Sequence, residues 1–248
     1  MSKTIAYGLA VAGLAAAALL GHAAFAQTPS AAIQAAVADP SRPDADAKRD
    51  ANRHPAEVLA FAGVKPGQQV AEFSPAGAYF TRLLAKVVGD KGHVYGVYNA
   101  GGEKFQKGAI DLAAANPTVT MVAATGGAFT LPGKVDLEWM TDNYHDYFNA
   151  TGVDMAAFDK AAFDALKPGG VYLLVDYQAA AGAGSTQTGT LHRIDEALVK
   201  SRMAQAGFVL AGESKVLANP KDDHTLKIFD PTIRGQADQF VLLFRKPK

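Results

Sequence analysis

Four polar and aromatic residues in a row, Asn143-Tyr-His-Asp146, directly follow an apolar run that is typical of a buried strand. A histidine there can accept a proton near neutral pH, and a neighbouring carboxylate can hold its ring in one orientation. We therefore predict His145 and Asp146 as a catalytic pair, with Tyr144 contacting a substrate. The alternative is a loop cluster that only caps the next helix.

A turn of small residues between a predicted strand and a predicted helix is the second candidate. The strand 69–73 contains Glu72, and residues 74–78 (Ser-Pro-Ala-Gly-Ala) carry little side-chain bulk. Such a turn lets backbone N–H groups and a helix N-terminus approach a ligand closely, and an acid beside it can accept hydrogen bonds from hydroxyl groups. The pattern predicts a nucleotide-like cofactor, with an ordinary strand-to-helix turn as the alternative.

Asn99 ends the next predicted strand, where nucleotide-binding folds usually place an acid on the ribose hydroxyls. An amide can bond a hydroxyl without the strength that charge adds, and a plain turn residue is the alternative. The residues predicted to contact the cofactor are Glu72, Ser74, Pro75, Gly77, Tyr79, Asn99 and Asn143.

Two basic pairs are candidates for substrate contacts. His192 and Arg193 fall in the first turn of a predicted helix, 188–206, whose N-terminus would disfavour an imidazolium and keep His192 neutral. Arg53 and His54 precede Pro55 and could form a lid over the site. The alternatives are a surface pair and a simple helix start. The residues predicted to contact the substrate are Arg53, His54, Tyr144, Asp176, His192 and Arg193.

No set of residues with metal-ligand spacing is evident in the sequence. Asp222-Asp-His224 has suitable residue types, but adjacent side chains cannot all point at one ion, so we expect a solvated turn there. The chain also lacks cysteine, which excludes disulfides and thiolate chemistry. Trp139 lies in a predicted buried strand and is expected in the core.

Strands and helices alternate along most of the chain, which predicts an α/β fold with a mostly parallel sheet. The last two strands, 208–216 and 239–244, have no long helix between them and are expected to form an antiparallel hairpin at the sheet edge. The other predicted strands are 69–73, 93–98, 118–122, 135–140 and 170–176, and the predicted helices are 78–88, 102–114, 153–166 and 188–206. Ligands of such sheets bind beyond the carboxyl ends of the strands, where the candidate residues gather.

The N-terminus has the pattern of a secretory leader. Lys3 precedes an apolar run from Ile5 to Leu20, and Ala24-Phe-Ala26 is a small-x-small cleavage site. We predict a signal peptide over 1–26, a linker over 27–48 and one domain over 49–248, in a periplasmic or secreted protein without stable membrane association. A retained membrane anchor is the alternative.

The charges of the chain balance, with 24 Lys and Arg against 24 Asp and Glu. No basic surplus is present to neutralise phosphates, so the expected partner is a small molecule rather than nucleic acid.

With these residues in hand, the chain resembles class I S-adenosylmethionine-dependent methyltransferases over about residues 49–248. More narrowly, it is similar to a family of secreted bacterial proteins described as predicted methyltransferases. The turn Leu166-Lys-Pro-Gly-Gly170 is common to class I enzymes. The narrower resemblance rests on Arg53-His-Pro-Ala-Glu57, Asn143-Tyr-His-Asp146, Leu191-His-Arg-Ile194, Asn219-Pro-Lys-Asp-Asp-His224, Phe229-Asp-Pro231, Ile233-Arg-Gly235 and the strand 240–247.

The resemblance implies a Rossmann-like seven-stranded sheet, S-adenosylmethionine as cofactor, and methyl transfer to a small molecule. Two departures bear on the cofactor. The family turn is Pro-Gly-Gly-Gly, whereas this chain has Ala76 and Ala78, and the acid after the second strand is replaced by Asn99. Added methyl groups narrow a ligand's approach and disfavour positive φ, so weak cofactor binding is expected. A non-catalytic small-molecule-binding protein and a hydrolase using His145 and Asp146 are the alternatives.

Overall fold

A computed structural model describes residues 28–248, and the predicted signal peptide lies outside the described residues. Seven strands form one sheet in the order β3-β2-β1-β4-β5-β7-β6. Their bounds are Gln69–Phe73 (β1), His93–Asn99 (β2), Val119–Ala124 (β3), Val135–Thr141 (β4), Leu166–Tyr177 (β5), Val209–Ser214 (β6) and Gln239–Arg245 (β7).

The first five strands are parallel, and β7 lies antiparallel between β5 and β6. The predicted fold class, a mostly parallel seven-stranded sheet with an antiparallel C-terminal hairpin, is therefore confirmed. The chain runs outwards from β1 to β3 in one direction and from β4 to β5 in the other. The carboxyl ends of β1 and β4 therefore form the topological switch point, where open α/β sheets bind ligands.

Helices cover both faces of the sheet. One hydrophobic cluster lies between the sheet and α1, α4 and α5, and the other lies against α8 and α9. The helices are Ala31–Val37 (α1), Asp44–Ala47 (α2), Asp50–Arg53 (α3), Pro55–Ala62 (α4), Tyr79–Val88 (α5), Lys107–Ala115 (α6), Tyr144–Tyr147 (α7), Met155–Ala165 (α8) and Glu196–Ala206 (α9). Trp139 is fully buried, as predicted.

The predicted helix 188–206 is too long, because α9 begins only at Glu196. The Asp195 side chain accepts a hydrogen bond from the Ala197 N–H and so caps the helix at this point. It also accepts from the N–H of Gly182, which ties the preceding loop to the helix start. His192 therefore lies in a loop, with φ of 57°, and not in a helical first turn.

The segment before residue 49 is more than a lead-in. Helix α1 lies in this segment, and its Ile33 and Ala36 are buried against α4 and α5. The rest of the predicted linker is held by ion pairs, one of them between Asp46 and Arg82 at 2.6 Å. These contacts make the segment part of the folded domain.

The turn 167–170, predicted to precede the fifth strand, lies within β5 as an irregularity. Val135 pairs with Leu166 and Leu137 with Val171, so extra residues of β5 bulge out opposite Asp136. Among residues 28–248, no helix has the length and apolar character needed to cross a membrane.

Candidate functional site

A cleft of about 620 Å³ lies at the carboxyl-end edge of β1, β2 and β4. It brings together predicted site residues from separate segments, namely Ser74, Asn99, Asn143, Asp146 and His192. The other residues that line it are Ala76, Gly102, Phe105, Gln106, Tyr147 and Ala150. Its size is within the range of small-molecule sites.

The turn after β1 is strained where it borders the cleft. Ser74, Ala76 and Ala78 have φ of 51°, 50° and 65°, in the left-handed region that costs a residue with a side chain about 1–2 kcal/mol. The Ala76 N–H donates to the Gln106 side chain at 2.7 Å, and the Ala76 carbonyl accepts from the Ala109 N–H at 3.0 Å. The turn is therefore held against α6, and one backbone donor is already used within the protein.

Two buried oxygen atoms near this edge have no hydrogen-bond partner in the described part of the chain: Asn99 Oδ1 and Glu72 Oε2. Asn99 lines the cleft, whereas Glu72 is buried behind it. Burial raises the pKa of Glu72 to about 7, although the positive charges of Arg53 and Arg82 oppose this. A buried acceptor without a donor is costly, so the Asn99 oxygen marks a place where a ligand hydroxyl would be stabilised.

Asn143 connects the end of β4 to the small-residue turn. Its side-chain amide donates to the Thr141 carbonyl at 2.6 Å and to the Ser74 carbonyl at 3.4 Å. The Ser74 hydroxyl in turn donates to the Tyr147 hydroxyl at 3.2 Å. These bonds fix the two walls of the cleft relative to each other.

Behind the cleft wall, the His145 ring is held by Asp176 on one nitrogen, in addition to the predicted Asp146 on the other. The His145 Nδ1 atom lies 2.7 Å from Asp176 Oδ1, and the His145 backbone N–H donates to Asp176 Oδ2 at 2.8 Å. The His145 side chain is only 1% exposed, so it does not line the cleft. It therefore cannot contact an acceptor there, and the predicted proton-accepting role is not supported by its position.

The outer nitrogen of His145 faces two groups that do reach the cleft. His145 Nε2 lies 3.3 Å from His192 Nδ1 and 3.3 Å from Asp146 Oδ1. The side chains of His192 and Asp146 are 24% and 48% exposed. His192 therefore lies at the cleft, as predicted. The argument for its neutral state was wrong, because His192 does not lie at a helix N-terminus.

The carboxylates control the charge of this cluster. Burial disfavours an imidazolium at His145, but Asp176 and Asp146 outweigh it and raise the pKa of His145 to about 10. Burial lowers the pKa of His192, and the positive charge on His145 adds to this. Burial would raise the pKa of Asp146, but its contacts with the two histidines lower it.

Three residues predicted to contact the substrate are instead fully buried in polar contacts. Asp176 holds His145, as described above. The Tyr144 hydroxyl donates to Asp159 at 2.9 Å and accepts from Arg202, so its ring belongs to the core. Arg193 forms a buried ion pair with Asp222 at 2.9 Å. These buried polar side chains hold neighbouring elements in place and cannot reach a ligand in the cleft.

The same ion pair corrects the expectation of a solvated turn at 222–224. Asp222 is buried against Arg193, whose guanidinium also donates to the carbonyls of Gln178 and Leu226. His224 lies 2.9 Å from Asp238 through its Nε2 atom. The turn thus joins the loop before α9 to the strand β7.

Arg53 and His54 do not form a lid. Arg53 pairs with Asp142 at 2.5 Å and lies over the ring of Tyr79. It lines a second, basic pocket of about 360 Å³, which also contains Lys48, Arg49, Asn52, Asp142, Tyr177, Ile228, Phe229, Arg234, Gly235 and Gln239. His54 is exposed near Glu57 and lines neither pocket.

Besides Glu72, three predicted cofactor contacts lie beside the cleft without lining it. Tyr79 is buried and its hydroxyl donates to Asp50 at 2.6 Å. Pro75 is buried towards β2, since a side chain on Gly96 would meet its ring at 3.1 Å. Gly77 is exposed and packs so closely on α6 that a Cβ on Gly108 would lie 2.8 Å from its Cα.

Sequence reasoning missed Phe105, Gln106 and Tyr147. Phe105 is 67% exposed, so an aromatic side chain at the cleft is open to a ligand. Tyr147 immediately follows the predicted cluster and could have been found from its aromatic character. Gln106 has no sequence signal, because its bond to the turn depends on the packing of α6.

Comparisons with known structures give the class of fold. A SAM-dependent methyltransferase from Aquifex aeolicus superposes with a TM-score of 0.54 and 16% identity, covering 76% of this chain and 87% of that one. A second, from Clostridium acetobutylicum, gives 0.55 at 10% identity, covering 83% and 94%. An arsenic(III) S-adenosylmethionine methyltransferase from Chlamydomonas reinhardtii gives 0.56 at 18% identity, covering 89% and 74%.

The chain therefore has the fold of class I S-adenosylmethionine-dependent methyltransferases. No protein-family model matches it, and no curated protein matches it either. At these identities the likeness establishes the fold, and the chemistry must be argued from the cleft.

Proposed function

We propose that this protein is an exported methyltransferase that transfers a methyl group from S-adenosylmethionine to a small molecule. The observation that carries the proposal is the cleft at the switch point of the sheet, which is lined by five predicted site residues from four segments of the chain. In folds of this type, that position holds the ligand.

The residues present fit a nucleoside-bearing cofactor. Asn99 ends β2 and offers a buried, unpartnered acceptor to a ribose hydroxyl, within the described chain. The turn with Ser74 and Ala76 borders the cleft, and the exposed ring of Phe105 offers an apolar face for a base. Bound S-adenosylmethionine would supply an electrophilic methyl group on a sulfonium.

The chain's own contribution is orientation. The cleft walls are fixed to each other through Asn143, Ser74 and Tyr147, so an acceptor bound between them has few alternative poses. Holding two reactants in line can supply roughly 7–11 kcal/mol of a barrier. No proton transfer by His145 is needed in this account.

The two alternatives have less support. Hydrolysis would need an activated nucleophile, and among residues 28–248 no Ser or Thr hydroxyl bonds to His145 or His192. A non-catalytic binding protein is supported only by the two alanines of the turn and by Asn99.

Calorimetric titration of the full chain with S-adenosylmethionine and its demethylated product tests the proposal. Because the turn is narrowed and Asn99 carries no charge, we expect a Kd on the order of 10 µM to 1 mM, or about −7 to −4 kcal/mol. The triple variant Ala76→Gly, Ala78→Gly, Asn99→Asp should bind at least about tenfold more tightly.

Ala218→Gly is the matched control, since Ala218 is exposed and outside the cleft, and its affinity should equal the parent's. A parent that binds neither compound would contradict the proposed cofactor. A triple variant that binds no better than the parent would show that the turn and Asn99 do not limit affinity.

A further inference from the structure

We propose that His145, Asp146 and His192 form a binding site for a divalent transition-metal ion of the zinc type. The three side chains come from α7 and from the loop before α9, and the two histidines are 47 residues apart in the chain. This separation explains why no metal-ligand spacing is visible in the sequence.

The geometry of the three ligand atoms carries the proposal. His145 Nε2, His192 Nδ1 and Asp146 Oδ1 form a triangle whose three sides are each 3.3 Å. Ligands placed about 2.0–2.1 Å from zinc at the corners of a tetrahedron lie about 3.3–3.4 Å apart. The triangle therefore has the dimensions of one face of a tetrahedral zinc site.

A carboxylate behind the first histidine completes the pattern. Asp176 accepts from His145 Nδ1 at 2.7 Å, so a metal ion that displaces the second proton of the imidazolium would take the lone pair on Nε2, the atom that faces the other two ligands. Metal-bound histidines almost always have such an outer partner, because it fixes the tautomer and the ring orientation. Asp176 is itself held by the backbone N–H groups of His145 and Tyr177.

The charges also favour a cation. Asp146 and Asp176 form no ion pair with a Lys or Arg within residues 28–248, and their salt-bridge partners there are the two histidines. A divalent ion that displaces the proton of His145 would leave both imidazoles neutral and would balance the negative charges of Asp146 and Asp176. Nitrogen and carboxylate ligands together suit zinc better than magnesium, which prefers oxygen.

The site opens to the cleft. Asp146 and His192 line the cleft, whereas His145 lies behind them, so an ion bound to all three lies in the cleft wall. Its remaining coordination position is available to water or to an oxygen or sulfur atom of a bound molecule. Phe229 packs on His192 at 4.9 Å between ring centroids and supports the loop on its outer side.

Metal binding by the full chain tests this directly. After treatment with a chelator, the protein should take up one zinc ion per chain, as measured by elemental analysis and by competition with a chromogenic chelator. Cobalt(II) in place of zinc should give the intense visible absorption of a four-coordinate ion. The experiment uses neither S-adenosylmethionine nor an acceptor, so its outcome is independent of the proposed function.

His192→Ala is the decisive variant, because this side chain lies in a loop and is partly exposed. Loss of a direct ligand should weaken zinc binding by more than the roughly 10- to 100-fold typical of losing an outer partner. Asp176→Asn should fall within that smaller range, provided that its thermal melting matches the parent's. His54→Ala, an exposed histidine away from the cluster, should bind zinc like the parent.

Several results would overturn the proposal: no zinc uptake by the parent, uptake of magnesium alone, equal zinc affinity in His192→Ala and the parent, or an equal loss in His54→Ala. Should Asp176→Asn fail to fold, His192→Ala alone decides the matter.

Discussion

Glu138 is a carboxyl group in the middle of the sheet that has no described hydrogen-bond partner on either oxygen. It is fully buried on β4, in register with Ala71 of β1 and Tyr172 of β5. Burial raises the pKa of Glu138 well above its usual value, and the charge of Lys246 offsets only part of this. The folded protein therefore binds a proton at Glu138 more tightly than the unfolded chain does.

The direction of the stability change follows from linkage. Between the ordinary glutamate pKa, about 4.3, and the raised value, the folded state binds more protons, so stability falls as pH rises through that window. Glu138→Met removes the group at similar volume and should stabilise the protein at pH 7 by about 1–3 kcal/mol. Calorimetry should show a melting temperature higher by about 2–4 °C per kcal/mol, with a smaller gain near pH 4.

Glu57→Met, at an exposed position of α4, should show no such pH-dependent gain. A Glu138→Met protein that melts below the parent at pH 7 would show that the carboxyl has a stabilising partner.

At the residue scale, the sequence predicted which side chains gather at the cleft but only one of the two contacts that hold His145. Ser74, Asn99 and Asn143 follow or end strands, so the parallel sheet alone brings them to one edge. The partner of His145 depends on β4 and β5 lying side by side, which places Asp176 beside it from 31 positions away. The contact of His145 with the adjacent Asp146 could be predicted from the sequence, whereas its contact with Asp176 depends on tertiary packing.

Among the elements, the strands were predicted closely and the loop before α9 was not. Apolar runs bounded by glycine turns define β1, β2 and β4 to within a residue or two. The sequence pattern predicted helix over 188–195 as well, because the spacing of apolar residues shows neither the cap formed by Asp195 nor the burial of Arg193. That loop carries His192, so its anchoring decides the shape of the cleft.

Arg193 anchors this loop and provides a test of it. Arg193→Met would leave Asp222 buried without its counter-charge and two carbonyls without a donor, so we expect a loss of about 3–5 kcal/mol in the free energy of unfolding. Urea unfolding measures the loss, and hydrogen exchange should show earlier opening of residues 178–195.

Lys221→Met, on the exposed side of the same turn, should change stability by less than about 0.5 kcal/mol. Equal stability of Arg193→Met and the parent would mean that Asp222 is satisfied by the backbone N–H groups of His224 and Asp238 alone.

For the whole molecule, the described fold begins soon after the predicted cleavage site. Ser30 caps α1 through a bond from the Ile33 N–H, and Ile33 is buried in the core. A chain that starts at Gln27 would therefore keep every described helix and strand. A cut further downstream, beyond Ile33, would remove core contacts and cost stability.

We predict that the protein is exported and starts at Gln27, because Lys3, the apolar run and Ala24-Phe-Ala26 together have the pattern of a signal peptide. Intact-mass spectrometry of protein purified from the source cells should give the mass of residues 27–248. Ala26→Leu removes the small residue that the peptidase needs, so this variant should keep its leader and stay with the membrane fraction. A parent protein in the periplasmic fraction that still begins at Met1 or Ser2 would disprove cleavage. A parent protein with the same intact terminus in the membrane fraction would favour the retained anchor.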